Sequence, residues 1–464
     1  MSSHIVVVNN PGLGHVLPTV DTVAELVRRG HRVTYTATGA AAGLVAAAGA
    51  EVLEFESVLA GIDLAAVDTE GESHRLLPLQ VRESEAILRA VTARFGTGGH
   101  PDLVAYDTTV YHAGRILARA WDVPAAALCA TLSSNEHFSL LDKFVEVTGA
   151  ALPRNHPALR EFGTRLLRLL AAHGQGDQTI EEFVSRQEGL HLGFYPRSFQ
   201  YAGDTFGEAH VFVGPHLGVP AADPWTPPPG DRPLLVVSLG TSVHRKPGFF
   251  RTCAEALAEL PYRVLMVVPD GLDGPLPANV ETRRWLPLTE VLAHAAGFVC
   301  HGGLGSIMTA LANGVPVVVV ADGPERHVNA TRVEELGLGR SVPESRLTAQ
   351  RLRAAVLETV TDPSVREAAE AMRADIRDAG GGAHGADAVE GYLKVAGDRA
   401  REDNMSGACG AVSGACGAVS GACGANHQAE HQAEHQAEHQ AEHQAERQAQ
   451  GDRERLPGAC EGES

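Results

Sequence analysis

The strongest constraint on the fold is a hydrophobic pattern that begins, stops at a run of prolines and begins again. Residues 5–8 form a continuous apolar run that reads as a buried strand. The Pro/Gly-rich turn 9–14 follows, then a helix over 17–29 closed by Gly30. Residues 32–37 read as a second strand, which completes a strand–loop–helix–strand unit of the kind that builds parallel sheets. A strand at 102–106, a helix at 111–121 and a strand at 125–129 extend the series, and 135–188 is mostly helical but irregular, as suits a segment facing a substrate. Over 218–232 the chain becomes a stiff, extended connector containing Pro227-Pro228-Pro229-Gly230. The pattern then restarts with strands at 233–238, 263–268, 297–300 and 315–320 and helices at 248–260 and 306–313. The predicted fold is α/β, with an N-terminal domain 1–217, a linker 218–232 and a C-terminal domain 233–396. Such a pair of halves places a ligand cleft at the carboxyl ends of the strands. A length of 464 residues suits two cores better than one.

Past about residue 396 the pattern ends. GACGAVS occurs at 407–413 and 414–420 and again in truncated form, and HQAE repeats five times over 427–446. Such low-complexity repeats cannot build a core, so 397–464 is expected to be a disordered tail. The period of four sets one imidazole above the next at i,i+4, a spacing able to hold a transition metal. A solvated repeat helix is the simpler reading, and the tail is assigned no catalytic role.

The formal net charge of −19 excludes a nucleic-acid binder, because no basic patch offsets the phosphates. The apolar run at 5–8 is too short and lacks the basic flank of a signal peptide or a membrane span. Cys129, Cys253 and Cys300 stand singly in apolar contexts, and Cys409, Cys416, Cys423 and Cys460 lie in the tail. With no CxxC pair, the expectation is a cytoplasmic protein without a metal site or membrane insertion.

Chemistry concentrates in residues 285–329. There His301-Gly302-Gly303-Leu304-Gly305-Ser306 stands where a strand passes into a helix. Glycines let backbone approach a ligand, and the open amides and dipole of a helix start favour an anion, a pyrophosphate above all. His301 and Ser306 can each add a hydrogen bond, although a ligand-free tight turn would account for the glycines alone. A second constellation is Pro11-Gly12-Leu13-Gly14-His15, at the carboxyl end of the first strand. An imidazole that titrates near about 6.5 suits proton removal at neutral pH. Taken alone, a loop histidine before a helix is more often a capping or surface residue, and Asp107 reads equally well as a helix N-cap.

These segments resemble the family 1 nucleotide-sugar glycosyltransferases of the GT-B fold, in which two Rossmann-like domains face a central cleft. They are especially similar to the actinobacterial enzymes that glycosylate macrolides and other natural products. The similarity runs over residues 4–395, through Phe212-Val213-Gly214-Pro215, Val237-Ser238-Leu239-Gly240-Thr241-Ser242 and the 285–329 signature. The resemblance implies a hexosyltransferase with a nucleoside-diphosphate sugar as co-substrate and no cofactor or metal. It implies that Trp285 stacks on the base, and that Thr241 and Ser242 join His301, Gly302, Gly303, Gly305 and Ser306 around the diphosphate. Loop 321–329, with Asp322, Glu325 and Arg326, then faces the sugar hydroxyls. His15 matches the general base of the family's GHxxP loop, and Asp107 its partner aspartate, which fixes the imidazole tautomer. The implied reaction is one in-line displacement with inversion, with leaving-group charge met by the helix start at 302–306.

Two departures bear on the donor. Uridine-using members usually carry Gln three residues after the signature Trp and Glu eight residues after the signature His, where this chain has Leu288 and Thr309. That Glu accepts from ribose hydroxyls. A thymidine diphosphate lacks the 2′-hydroxyl, and an unpaired buried carboxylate would cost about 1–3 kcal/mol. Thr309 therefore favours a dTDP-deoxysugar. The alternative is a UDP-glucose-dependent macrolide glucosyltransferase of the self-resistance type. The sugar loop also differs, having Glu325-Arg326 where an acidic residue and Gln are common and Asp322 where another Gln is frequent. Other readings are a nucleotide-sugar epimerase, a non-catalytic auxiliary protein of a glycosyltransferase, and a scaffold organised by the tail. The epimerase would need acid/base groups around the sugar, and the auxiliary protein would show a degraded donor site or no His/Asp pair. The expected acceptor is a small hydrophobic molecule, a macrolide or polyketide by analogy, met by segments 58–81 and 133–188. A homodimer is compatible with the sequence.

Overall fold

The structure, a computed structural model, describes residues 2–62, 73–96, 98–149, 151–153, 155–218, 225–227, 229–240, 247–269 and 271–413. Residues 1–396 form one compact unit and 397–464 another. The expected linker residues 219–224 and 228, and the repeats from 414 onward, lie outside the described residues.

The first half runs β1 (His4–Val8), α1 (Leu13–Val16), α2 (Val20–Arg28), β2 (Arg32–Thr36), α3 (Ala40–Ala47), β3 (Glu51–Leu53) and α4 (Leu76–Phe95). It continues with β4 (Leu103–Asp107), α5 (Tyr111–Trp121), β5 (Ala125–Cys129), α6 (Leu140–Thr148), α7 (Pro157–Ala172), α8 (Ile180–Ser185), β6 (Leu190–Gly193) and β7 (His210–Phe212). The second half runs β8 (Leu234–Ser238), α9 (Pro247–Leu257), β9 (Arg263–Val267), β10 (Val280–Arg283), α10 (Leu288–Leu292), β11 (Ala295–Cys300) and α11 (Leu304–Leu311). It closes with β12 (Val317–Val319), α12 (Pro324–Glu335), β13 (Gly339–Ser341), α13 (Ala349–Thr361), α14 (Pro363–Asp378) and α15 (Gly381–Ser413).

The strands build a seven-stranded sheet in the order β3-β2-β1-β4-β5-β6-β7 and a six-stranded sheet in the order β10-β9-β8-β11-β12-β13. Pairing is parallel, as at Val6 beside Thr34 and Val104, or Val236 beside Leu265 and Phe298. Strands covered by helices on both faces must be apolar on both, hence the unbroken runs at 5–8 and 234–237. Alternation still divides them: Ile5 and Val7 enter one core, whereas Val6 and Val8 enter another with Ile87, Val91 and Ile116. These are two Rossmann-like α/β halves.

The halves are stitched together twice. Tyr195, Phe199, Tyr201, Phe206 and Phe212 leave the first sheet to share a core with Val236, Ile307, Val328 and Met372. In return, α15 sets Ala386 and Val389 into the core of the first sheet. Arg29 clamps that helix through Asp387 (2.6 Å) and Glu390 (2.7 Å).

One expectation needs correction. The helix expected over 17–29 begins at Leu13, and a 3-10 turn at Leu17–Thr19 separates α1 from α2. Pro18, which has no N–H to donate, sits in that turn. The helix α15 runs from Gly381 to Ser413, past residue 396, where the sequence pattern ends. Short strands β3, β6, β7, β10 and β13 and the helices α3, α4, α10 and α12 to α15 were not read from the sequence.

Candidate active site

Ligands of open α/β sheets bind beyond the carboxyl ends of the strands, where the strand order reverses. The first sheet reverses between β1 and β4, and the second between β8 and β11. These points receive the candidate residues: His15 follows β1, Asp107 ends β4, Gly240 follows β8 and His301 follows β11.

At the first point His15 Nδ1 lies 2.9 Å from Asp107 Oδ2, across 92 residues of sequence. The imidazole keeps 23% of its side-chain surface exposed, whereas Asp107 keeps 1%. Asp107 is not the helix cap that its position also allowed. The N-cap of α5 is Val110, with no side-chain bond. The second carboxylate oxygen, Oδ1, accepts from the Thr109 amide at 2.8 Å and from the Thr109 hydroxyl. His15 is seated in α1, its amide donating to the Gly12 carbonyl at 2.9 Å, and Asn9 holds its carbonyl at 3.2 Å. Burial pushes the nearby Cys129 thiol up to about 12, so it is an inert core group.

At the second point His301 is buried and Gly302 takes φ +98°, a left-handed conformation suited to glycine. A Cβ on Gly302 would stand 2.7 Å from Val319 Cγ1 and 3.2 Å from the Arg326 carbonyl oxygen. Gly240, at φ +70°, leaves room for the His301 ring, which a Cβ there would meet at 2.8 Å. Gly303 is the N-cap of α11 and supplies no side-chain cap, so the first amides of that helix, at Leu304, Gly305 and Ser306, are not satisfied by a capping side chain. Asn329 from α12 donates to the Gly302 carbonyl at 2.9 Å, which ties the glycine turn to the next helix. Burial pushes the Cys300 thiol up to about 12 at the strand end beneath.

Trp285 is 74% exposed, an unusual state for so large an apolar ring. Asp322 and Arg326 are both buried and paired with each other one helical turn apart. The Cβ and backbone carbonyl of Arg326 lie against Gly302, and Glu325 is half-buried on the first turn of α12. Thr309 lies one turn into α11, its hydroxyl donating to the Gly305 carbonyl at 2.7 Å. Thr241 and Ser242, expected at the diphosphate, lie outside the described residues.

Among the described residues no group of three or more His, Cys, Asp or Glu side chains converges to hold a metal ion. No helix among them is long and apolar enough to cross a membrane.

Residues 256–380 match the family model of the erythromycin biosynthesis protein CIII-like C-terminal domain. The demethyllactenocin mycarosyltransferase of Streptomyces fradiae is 36% identical over 409 residues, which cover 85% of this chain and 87% of that one. The chain belongs to this family of antibiotic glycosyltransferases. The NDP-glycosyltransferase YjiC of Bacillus licheniformis is 34% identical over 406 residues, covering 85% of this glycosyltransferase and 98% of the relative. The crystal structure of CalG4, the calicheamicin glycosyltransferase, matches it with a TM-score of 0.73 at 39% identity, over 85% of this chain and 98% of that one. The two-sheet architecture is therefore the GT-B fold, and the enzyme is a glycosyltransferase of the natural-product type.

Several residues that shape the site were not singled out from the sequence. Asn329 is the last residue of the 285–329 signature, and its amide spacing from the glycines gave no sign of the contact with Gly302. Thr109 and Asn10 flank the predicted dyad, yet the bond between their side chains depends on the meeting of two loops 99 residues apart.

Proposed function

We propose that this glycosyltransferase transfers a deoxysugar from a dTDP donor to a hydroxyl of a small hydrophobic acceptor, with inversion at the anomeric carbon. The observation that carries the reading is the His15–Asp107 pair at the switch point of the first sheet. Asp107 occupies Nδ1, which leaves Nε2 as the ring nitrogen that takes the acceptor's proton. As the acceptor oxygen attacks, the bond from the anomeric carbon to the diphosphate breaks and the diphosphate leaves with the electron pair. The imidazolium formed is stabilised by the carboxylate behind it.

The leaving charge meets the open amides at the start of α11, with the side chains of His301 and Ser306 beside them. Thr241 and Ser242 belong to the same proposed diphosphate cradle. Trp285 offers its exposed face to the base, and the segment 321–329 meets the sugar, with Glu325 as its polar contact and Asp322–Arg326 as its support. Domains 1–217 and 233–396 would close over the reactants across the 218–232 connector, which keeps water from hydrolysing the donor.

The choice of donor rests on Thr309. Its hydroxyl proton is committed to the Gly305 carbonyl, so the position offers the ribose a neutral hydroxyl oxygen and a methyl group in place of a carboxylate. A 2′-deoxyribose loses nothing there, whereas a ribose 2′-hydroxyl would be desolvated without a strong acceptor. One relative is named for mycarosyl transfer and another for a nucleoside-diphosphate donor, names that fit a nucleotide-sugar donor of either base. Calorimetry with dTDP and UDP tests it. The wild type should bind dTDP at least about tenfold more tightly, and Thr309→Glu should shift the preference toward UDP. Tighter UDP binding by the wild type would replace this reading with a UDP-glucose-dependent transferase.

A further inference from the structure

Between the two loops of the first switch point runs a chain of hydrogen bonds whose direction is fixed by chemistry alone. Asp107 Oδ1 on an ionised carboxylate only accepts, so the Thr109 hydroxyl donates its single proton there. That hydroxyl oxygen in turn accepts from Asn10 Nδ2 at 3.0 Å. The Asn10 amide is itself oriented, because its Oδ1 accepts from the Gly12 amide at 2.9 Å. Gly12 completes the path, since its carbonyl receives the amide of His15 at 2.9 Å. The ring thus runs from the backbone of His15 through Gly12, Asn10 and Thr109 to Asp107, and returns to the imidazole at Nδ1.

We infer that Thr109 and Asn10 are positioning residues of the proposed general base, acting through the carboxylate of Asp107. The inference rests on the assignment of His15 as that base. Asp107 has a rotatable carboxyl group and two equivalent oxygens, and only one of them can serve His15. The Thr109 amide anchors Oδ1 from one side and the hydroxyl anchors it from another, which holds Oδ2 toward Nδ1. Asn10 does the same for the loop: it is buried, belongs to the turn that carries His15, and grips the turn that follows β4. Without this bridge the two loops are joined at the dyad by the His15–Asp107 bond itself.

A purely structural role for Thr109 would be the turn that leads into α5, and that turn is supplied by its backbone amide. The hydroxyl is dispensable for the turn and indispensable for the ring, so Thr109→Val separates the two roles. Thr109→Ser restores the hydroxyl without the methyl group.

The test uses the full chain with ¹⁵N-labelled histidine, observing the Nδ1–H proton of His15 by NMR. The wild type should show a downfield Nδ1–H resonance that disappears in His15→Gln and in Asp107→Asn. Thr109→Val should lose this resonance to solvent exchange, and Thr109→Ser should recover it. Asn10→Leu should lose it too, with dTDP affinity by calorimetry within about twofold of the wild type, as fits a change confined to the first switch point. In the Asp107→Asn background, Thr109→Val should alter the His15 spectrum no further. A resonance that depends on Asp107 but is unmoved by Thr109→Val would overturn the inference and leave the dyad standing. Absence of any Asp107-dependent resonance in the wild type would remove the dyad, and the inference with it.

Discussion

Single atoms decide the geometry of the glycine turn after β11. Gly302 has φ +98° and its missing Cβ is the space occupied by Val319 and the backbone of α12. Gly302→Ala should therefore lower stability by about 1–3 kcal/mol through strain and crowding, read in thermal melts, and should weaken dTDP binding at the same time. Unchanged melting and affinity would show that the turn can relax away from Val319. The turn itself was legible in the sequence, since His301 and three glycines stand together where a strand passes into a helix. The partners were not. Nothing in Glu325-Arg326 announces that the Arg326 guanidinium pairs with Asp322 one turn earlier. The same limit hid Asn329, whose role exists only once α12 lies against Gly302.

Among the elements, α4, α5 and α7 show how the sheet is buttressed and what that costs at low pH. His112 on α5 is fully buried, its Nδ1 3.2 Å from the Ser84 hydroxyl of α4 and its ring against Phe162 of α7. Burial, with Arg115 nearby, holds its pKa down at about 3. His191 in β6 is held at about 3 by burial, by His210 and by Arg115. In the unfolded chain both titrate near about 6.5, so between those values the unfolded state takes up protons that the folded state refuses. Their contribution to stability is intact above about pH 6.5 and is lost as the pH falls toward 3. The urea midpoint should accordingly drop between pH 7.5 and 5, and His112→Gln should flatten the decline. A midpoint constant over that range would contradict it. The long apolar strands and α5 were readable because their periodicity is unambiguous. Strands of three or four residues such as β3, β7 and β13 carry no period, and only their neighbours in the sheet make them strands.

For the whole molecule, the return of α15 to the first sheet is the feature that sequence pattern could not supply. Residues 381–393 look like any amphipathic helix, and their packing partners lie far away in sequence: Arg29 bonds Glu390 across 361 positions. Ala386 and Val389 are nearly inaccessible, whereas the second compact unit begins at Gly397. A chain ending at Ala396 should keep its cooperative unfolding and its dTDP affinity. A chain ending at Gly380 should lose both, because the core around Ile5 and Val7 would open. Equal behaviour of the two truncations, seen in calorimetry and urea titration, would mean that α15 is not part of the folding unit. The two-sheet α/β plan was legible because the pattern restarts after the prolines.

The central claim is that His15 deprotonates the acceptor while the second sheet holds the donor. The measurement that tests it most directly is glycoside formation by wild type and His15→Gln from the donor preferred in calorimetry, across a panel of hydrophobic hydroxylated acceptors, with the anomeric configuration of the product read by NMR. The account predicts an inverted product from the wild type and a loss of at least about 100-fold in His15→Gln, with dTDP affinity within about twofold. A product of retained configuration, or a His15→Gln enzyme as fast as the wild type, would contradict it.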